Sequence, residues 1–111
     1  MRREILLLEE IVTAASRATD IASRHSVASL TVTLDARDAL LWNLTIVGEA
    51  VGQLPDELLD EHPEVPWHQP VRLRNRIVHG YWSVDLDIIY SVAIDDLPTF
   101  TNAVRAILEA S

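Results

Sequence analysis

One short segment of the chain concentrates side chains that could bind phosphate and move protons. Three of the nine basic residues, Arg72, Arg74 and Arg76, fall within five consecutive positions. Asn75 lies among them, and His79 follows three residues later. Arginine can hold a phosphodiester and stabilise the charge that develops on it, and a histidine side chain exchanges protons near neutral pH. Together these residue types would suffice for RNA cleavage without a metal ion.

The spacing of these residues decides which of them can meet on a helix. With an advance of about 100° per residue, Arg72, Asn75 and His79 share one face. Arg74 lies about 140° from His79, so the two side chains cannot touch by simple stacking. They would instead flank a groove from two sides or meet across a dimer axis.

The helix that carries this segment should run from about residue 66 or 70 to His79, after the prolines that precede it. Leu73 and Ile77 lie opposite the polar groups and should anchor the helix to a core. We therefore expect the Arg, Asn and His side chains to be exposed. Gly80 should end the helix as a left-handed cap.

Apolar residues recur at helical spacing in most of the remaining chain. Helices are expected over about 2–24, 35–53, 55–62 and 86–95, the last capped by Ser83 or Asp85, with a restart at Asp96 and Pro98. Segment 26–33 is rich in Thr, Ser and Val but has no partner strand, so a loop or helix extension is expected. Gly48 should mark the close approach of a neighbouring helix. The pattern predicts an all-α protein, an up-and-down helical bundle, with 1–111 as a single domain.

Composition limits the other chemistry available to the chain. Its net charge is −8, with nine arginines and no lysine, so any contact with RNA must be local. There is no cysteine, and the four histidines lack a paired metal-ligand spacing, so neither a metal nor another cofactor is expected. Glu4, Glu9 and Glu10 interrupt the apolar N-terminal stretch. This favours a soluble cytoplasmic protein over a signal peptide or a membrane span.

The segment RNRIVHGY matches the R-x4-H-x-Y motif of HepT-like toxins of the HEPN superfamily, and its flanks match as well. Upstream, LLWNLTIVGEAVGQLP resembles the family's helix with a Gly-Glu-Ala element, and HPEVPW resembles the stretch before the motif helix. Downstream, VDLDIIY followed by DDLP fits too, so the similarity covers nearly the whole chain. A short R-x4-H motif alone would be weak evidence, and this context makes the match specific.

The resemblance implies a homodimer in which two motif helices face one shared cleft and cut RNA without a metal ion. Arg74 and His79 would be catalytic, and Asn75 would support or orient them. Arg72 and Arg76 are candidates for phosphate or RNA contacts. The expected reaction is attack by the RNA's own 2′-hydroxyl, with His79 as general base or acid and Arg74 stabilising the transition state.

The resemblance also implies a partner, a small MNT-type nucleotidyltransferase antitoxin, which in some members transfers AMP to the motif tyrosine. By position that tyrosine is Tyr81. Glu49 lies in a helix expected to pack near the motif, where it either orients an arginine or is simply an exposed residue. We expect Trp82 to pack against a neighbouring helix, with stacking on a base as the alternative.

Two other interpretations compete with the toxin endonuclease. A non-catalytic helical module could bind a nucleotide or a nucleotidyltransferase partner through the same arginines, without RNA turnover. A purely structural dimer could use the Arg-Asn-His cluster to fix its interface, and His79→Ala would then damage assembly rather than activity. The presence of Arg74, His79 and Tyr81 at the motif spacing favours the enzyme.

Overall fold

Helices account for most of the computed structural model, which describes residues 2–111. No strand occurs within those residues, so the prediction of an all-α helical bundle is confirmed. The helices, in chain order, are α1 (Arg2–Ser23), α2 (Val27–Val32), α3 (Leu34–Gly52), α4 (Asp56–Glu61), α5 (His68–His79), α6 (Leu86–Ser91) and α7 (Leu97–Glu109). A 3₁₀ turn (Tyr81–Ser83) follows α5, and a π-helical turn (Val92–Asp96) joins α6 to α7.

The three longest helices build the core of the bundle. Helix α1 packs against α3 and α7, and α5 packs on α3. Each helix contributes an apolar stripe, and the fully buried side chains include Leu8, Ile11, Leu40, Val47 and Val104. Burial of these stripes is the main favourable term that holds the helices together. None of the helices between residues 2 and 111 is both long and apolar enough to cross a membrane.

Helix α5 lies directly against α3 at Gly48. A Cβ atom built on Gly48 would overlap the Cβ of Arg74 and lie 2.5 Å from the carbonyl oxygen of Pro70. The backbones can approach this closely because glycine has no side chain. The close helix contact expected at this glycine is confirmed, and the neighbour is the helix that carries the motif.

Helices α6 and α7 are continuous, so the predicted restart at Asp96 is wrong. Asp96 has helical dihedral angles, and its side chain makes no capping hydrogen bond. The backbone N–H of Leu97 donates to the carbonyl of Val92, five residues back, which is the π-helical pattern. Pro98 has no N–H and its ring crowds the preceding turn of a regular helix, and the wider turn accommodates it.

Two other local predictions are corrected by backbone geometry. Segment 26–33 contains the separate helix α2, because the hydroxyl of Ser26 accepts a hydrogen bond from the N–H of Ser29 at 3.0 Å and begins a new helix. Helix α5 ends at His79 as predicted, but Gly80 is not left-handed, since its φ is −141°. Its N–H donates to the carbonyl of Arg76 at 2.9 Å, and the 3₁₀ turn follows directly.

Candidate active site

Helix α5 carries the motif and is fixed to the bundle by its apolar side. Pro70 and Ile77 are buried, and Leu73 packs partly buried against the same core. On the rest of the helix surface, four polar residues of the motif region are exposed, namely Arg72, Asn75, Arg76 and His79. For these residues the predicted separation into an anchoring side and a polar side is confirmed.

His79 lies in a depression of about 660 Å³ at the C-terminal end of α5. Asn75 and Arg76 line the depression from the same helix, and Ser83 and Asp85 line it from the segment that follows. The carboxylate of Asp85 is engaged as the N-cap of α6, where it accepts two backbone N–H groups. Both N–H groups bond Oδ1, so the depression offers an imidazole, a guanidinium, an amide and the second carboxylate oxygen of Asp85 to a ligand. Within residues 2–111, no three His, Asp or Glu side chains are placed to hold a metal ion.

Arg74 does not line that depression and lies against α3 instead. Its Nη2 is 3.1 Å from Oε2 of Glu49, and its Nη1 donates to Oδ1 of Asn75 at 2.8 Å. Only 30 % of its side chain is exposed, so the expectation that the motif arginines are exposed is wrong for Arg74. The reason is Gly48, whose missing side chain leaves room on α3 for the stem of the arginine.

The contacts of Arg74 do not satisfy all of its donors. Its Nε is buried and has no hydrogen-bond partner within the described part of the chain. A buried donor left unpaired costs about 1–3 kcal/mol of stability. Glu49 and Asn75 therefore orient the guanidinium of Arg74 through its two terminal nitrogens and leave Nε unpaired.

The motif residues thus form two groups within one chain. Asn75, Arg76 and His79 share the depression, whereas Arg74 faces α3. Asn75 belongs to both groups, because it lines the depression and accepts a hydrogen bond from Arg74. The structure does not bring Arg74 and His79 into one pocket, in agreement with their wide angular separation on the helix.

Tyr81 is held by two residues near the start of α3 that the motif does not include. Its Oη donates to Oδ1 of Asp38 at 2.7 Å and accepts from Nη2 of Arg37 at 3.2 Å. Arg37 also pairs with Asp38 at 3.1 Å and lies 5.8 Å from the centroid of the Tyr81 ring. The hydrogen bond from Tyr81, and then that from Arg37, hold the pKa of Asp38 below its ordinary value. The Tyr81 hydroxyl therefore has a defined direction although the residue is exposed.

No signal in the sequence identified Arg37 and Asp38 as neighbours of the motif. They precede Tyr81 by 44 and 43 residues and meet it only in the folded chain. An adjacent arginine and aspartate on a helix is a common solvent-exposed pattern, so their types alone did not distinguish them.

Trp82 is 84 % exposed, so the expectation that it packs against a neighbouring helix is wrong within this chain. All three residues of the 3₁₀ turn lie on the surface, and the turn carries the indole away from the bundle. A tryptophan exposed to this extent is available for contact with another molecule.

Comparisons with known proteins agree with the motif. The family model described as Ribonuclease HepT-like matches residues 9–107. A "putative RNase" of Methanocaldococcus jannaschii is 31 % identical over 71 residues, which is 64 % of this chain and 59 % of that protein. The "probable ribonuclease HepT" of Thermococcus cleftensis is 33 % identical over 61 residues, 55 % of this chain and 56 % of that protein. The chain thus spans somewhat more than half the length of these relatives. No solved structure matches it.

Proposed function

The chain belongs to the HepT-like ribonuclease family of the HEPN superfamily, and we propose that it is a metal-independent RNA endonuclease, the toxin of a toxin–antitoxin pair. The observation that carries the proposal is the depression shared by His79, Asn75 and Arg76. It offers a proton-transfer group and a guanidinium to the same phosphate. The name of one relative, a ribonuclease HepT, supports the same activity.

In the proposed reaction the RNA's own 2′-hydroxyl attacks the adjacent phosphorus. The bond between O2′ and phosphorus forms, the bond between phosphorus and O5′ breaks, and a 2′,3′-cyclic phosphate and a 5′-hydroxyl result. His79 takes the proton from the 2′-hydroxyl or gives one to the leaving oxygen, and an arginine stabilises the charge on the transition state. One imidazole and one carboxylate, those of His79 and Asp85, line the depression, and so small a set of metal ligands favours a reaction without a metal ion.

The proposed site is completed in a homodimer, in which Arg74 of one chain reaches the His79 depression of its partner. Within one chain the two side chains face different sides of α5, and Glu49 holds Arg74 in place. Large hydrophobic side chains are exposed on the elements that carry or adjoin Arg74 and Tyr81, namely Trp42, Val78 and Trp82. Exposed aromatic and aliphatic residues of this kind are typical of a protein interface.

The proposed chemistry predicts that cleavage depends on the 2′-hydroxyl. The purified chain should cut a labelled single-stranded RNA in the presence of EDTA and leave ends with a 2′,3′-cyclic phosphate. The same strand with a 2′-O-methyl group on every nucleotide should remain intact, because its attacking hydroxyl is blocked. Product ends are identified by mass spectrometry. Cleavage of the 2′-O-methyl strand, or complete loss of activity in EDTA, would contradict the mechanism.

We also propose that a nucleotidyltransferase antitoxin inactivates the enzyme by transferring AMP to Tyr81. The Oη of Tyr81 attacks the α-phosphorus of ATP, the bond to pyrophosphate breaks, and the phenolic proton passes to Asp38, which already accepts its hydrogen bond. Arg37 lies 3.2 Å from Oη and would sit beside the new phosphodiester. The added nucleotide, two residues from His79, would compete with RNA for the arginines.

The modification predicts a mass change on one tyrosine. After co-expression with a small MNT-type nucleotidyltransferase, the peptide that contains Tyr81 should gain the mass of one adenylyl group. The Tyr81→Phe variant should gain none. Tyr90 is an internal control, because it is only partly exposed and its hydroxyl donates to the carbonyl of His25 at 2.9 Å. Modification of Tyr90 instead, or an unmodified Tyr81 in an inhibited complex, would contradict this assignment.

A further inference from the structure

A second cavity lies between α3, α5, the π-helical turn and α7. Its volume is about 360 Å³, within the range of roughly 300–1,000 Å³ that small-ligand sites occupy. The walls are mainly apolar, with Leu44 and Val47 from α3 and Leu97 and Phe100 from α7. Such walls suit a flat ring system better than a strongly hydrated group.

Two exposed arginines border this cavity, Arg72 and Arg76, one helical turn apart on α5. Neither guanidinium has an ion pair or side-chain hydrogen bond to another described residue. On a chain with a net charge of −8, two unpartnered cations at one cavity are complementary to phosphate. Asp96, which lines the cavity from the π-helical turn, would repel phosphate. A bound nucleotide would therefore place its phosphate at α5 and its base inside.

The cavity adjoins the His79 depression, and Leu73 and Arg76 line both. A single strand laid along α5 would therefore place one base in the cavity and the adjoining phosphodiester near His79. We propose that this cavity binds the base of a nucleotide beside the cleaved bond in single-stranded RNA, while Arg72 and Arg76 hold the flanking phosphates. The proposal rests on the proposed RNA cleavage for its substrate class. It makes the cavity a determinant of the sequence at which the strand is cut.

Binding to a strand that cannot be cut tests the cavity separately from catalysis. The probe is a fluorescently labelled, single-stranded 2′-O-methyl hexanucleotide, compared with an abasic strand of the same length that keeps the phosphates and lacks the bases. Val92→Phe places a ring in the cavity at a position that does not line the His79 depression. Arg72→Gln removes one of the two cations. Arg17→Gln is the matched control, because Arg17 is also exposed and lies on α1.

Val92→Phe and Arg72→Gln should differ in which of the two strands they bind more weakly. Val92→Phe should weaken binding of the base-bearing strand about tenfold and leave the abasic strand unchanged, because only the base enters the cavity. Arg72→Gln should weaken both strands by a similar factor, since it removes a phosphate contact. Arg17→Gln should change neither affinity by more than about twofold. Fluorescence anisotropy gives the affinities, and thermal melting verifies the fold of each variant.

Gln69→Trp provides a second blocked cavity if Val92→Phe does not fold, because Gln69 is exposed and lines the same cavity. Equal affinity of the unaltered protein for the two strands would overturn the proposal. Preference for the base-bearing strand that survives in a folded blocking variant would also overturn it. The cleavage proposal fails independently, by absence of RNA cutting, and that result would leave the binding measurements intact.

Discussion

His79→Ala should lower the rate of RNA cleavage by about 100-fold or more, because a positioned general acid or base contributes roughly 10²–10⁴-fold to an enzymatic rate. His79 is the histidine that lines the candidate depression. Its side chain is exposed, so the truncation removes little packing and should leave the melting temperature nearly unchanged. The measurement is the initial rate on a labelled RNA strand, with melting followed by circular dichroism.

His68→Ala is the matched control for this variant. His68 is exposed and begins the same helix but does not line the His79 depression. Its replacement should leave the cleavage rate within about twofold of the original. Absence of RNA cutting by both His79→Ala and the unaltered chain would instead favour the non-catalytic binding module, and equal nonzero rates would contradict a catalytic role for His79. Loss of assembly in His79→Ala, with no RNA cutting by the unaltered chain, would favour the purely structural dimer.

The same assay tests whether Arg74 and His79 act from different chains. Arg74→Ala alone should be nearly inactive, like His79→Ala. After subunit exchange between these two variants, half of the dimers would contain one intact site out of two, so about a quarter of the full activity should return. No recovery in a mixture that demonstrably exchanges subunits would contradict a shared site.

Gly48→Ala should destabilise the chain by at least about 2 kcal/mol, although alanine has the better helix propensity by about 1 kcal/mol. The added methyl group would overlap the Cβ of Arg74 and approach the carbonyl oxygen of Pro70 to 2.5 Å. Neither atom is the far end of a flexible side chain, so α3 and α5 must move apart. We expect the melting temperature to fall by roughly 6–12 °C and cleavage to weaken as well, since the position of Arg74 changes.

Gly52→Ala is the control for Gly48→Ala, because it makes the same change in helix propensity without the clash between helices. Gly52 ends the same helix, and a Cβ there would have no neighbouring heavy atom within 4 Å. Its stability should stay within about 0.5 kcal/mol of the original. A similar loss at both glycines would mean that the contact between α3 and α5 is not the cause of the effect at Gly48.

The features of the fold that depend on residues close together in the sequence could be predicted, and those that depend on packing between helices could not. Apolar spacing is a property of short windows, so the long helices were predictable. Gly80 marked the end of α5 at His79, although its conformation is not the expected left-handed one. Gly48 indicated a close helix contact, because a glycine inside a helix is unfavourable unless a neighbouring helix lies close to it. The π-helical turn before Pro98 was not predictable, because the choice between a restart and a wider turn depends on how α7 packs. The assignment of residues 1–111 to a single domain stays a prediction.

The candidate site was predictable only in part, and family membership is the part that is confirmed. Motif spacing placed Arg72, Asn75 and His79 on one face and Arg74 well away from His79. In the structure Asn75 and His79 line one depression and Arg74 lies outside it as expected, whereas Arg72 borders the neighbouring cavity. The spacing did not indicate that Arg74 would be half-buried, because that depends on a glycine in another helix. Arg37 and Asp38 reach Tyr81 only through tertiary packing. The catalytic roles of these residues stay predictions.

The separation of Arg74 from the His79 depression affects how RNA cleavage depends on the concentration of the chain. If Arg74 and His79 meet only between two copies, the monomer is inactive and the dimer is the active species. At low concentration the amount of dimer rises with the square of the concentration of the chain. Basal leakage from a weakly transcribed gene would then damage little RNA, whereas a modest rise in synthesis would raise cleavage steeply. The geometry of one helix would thus set a threshold concentration for RNA cleavage.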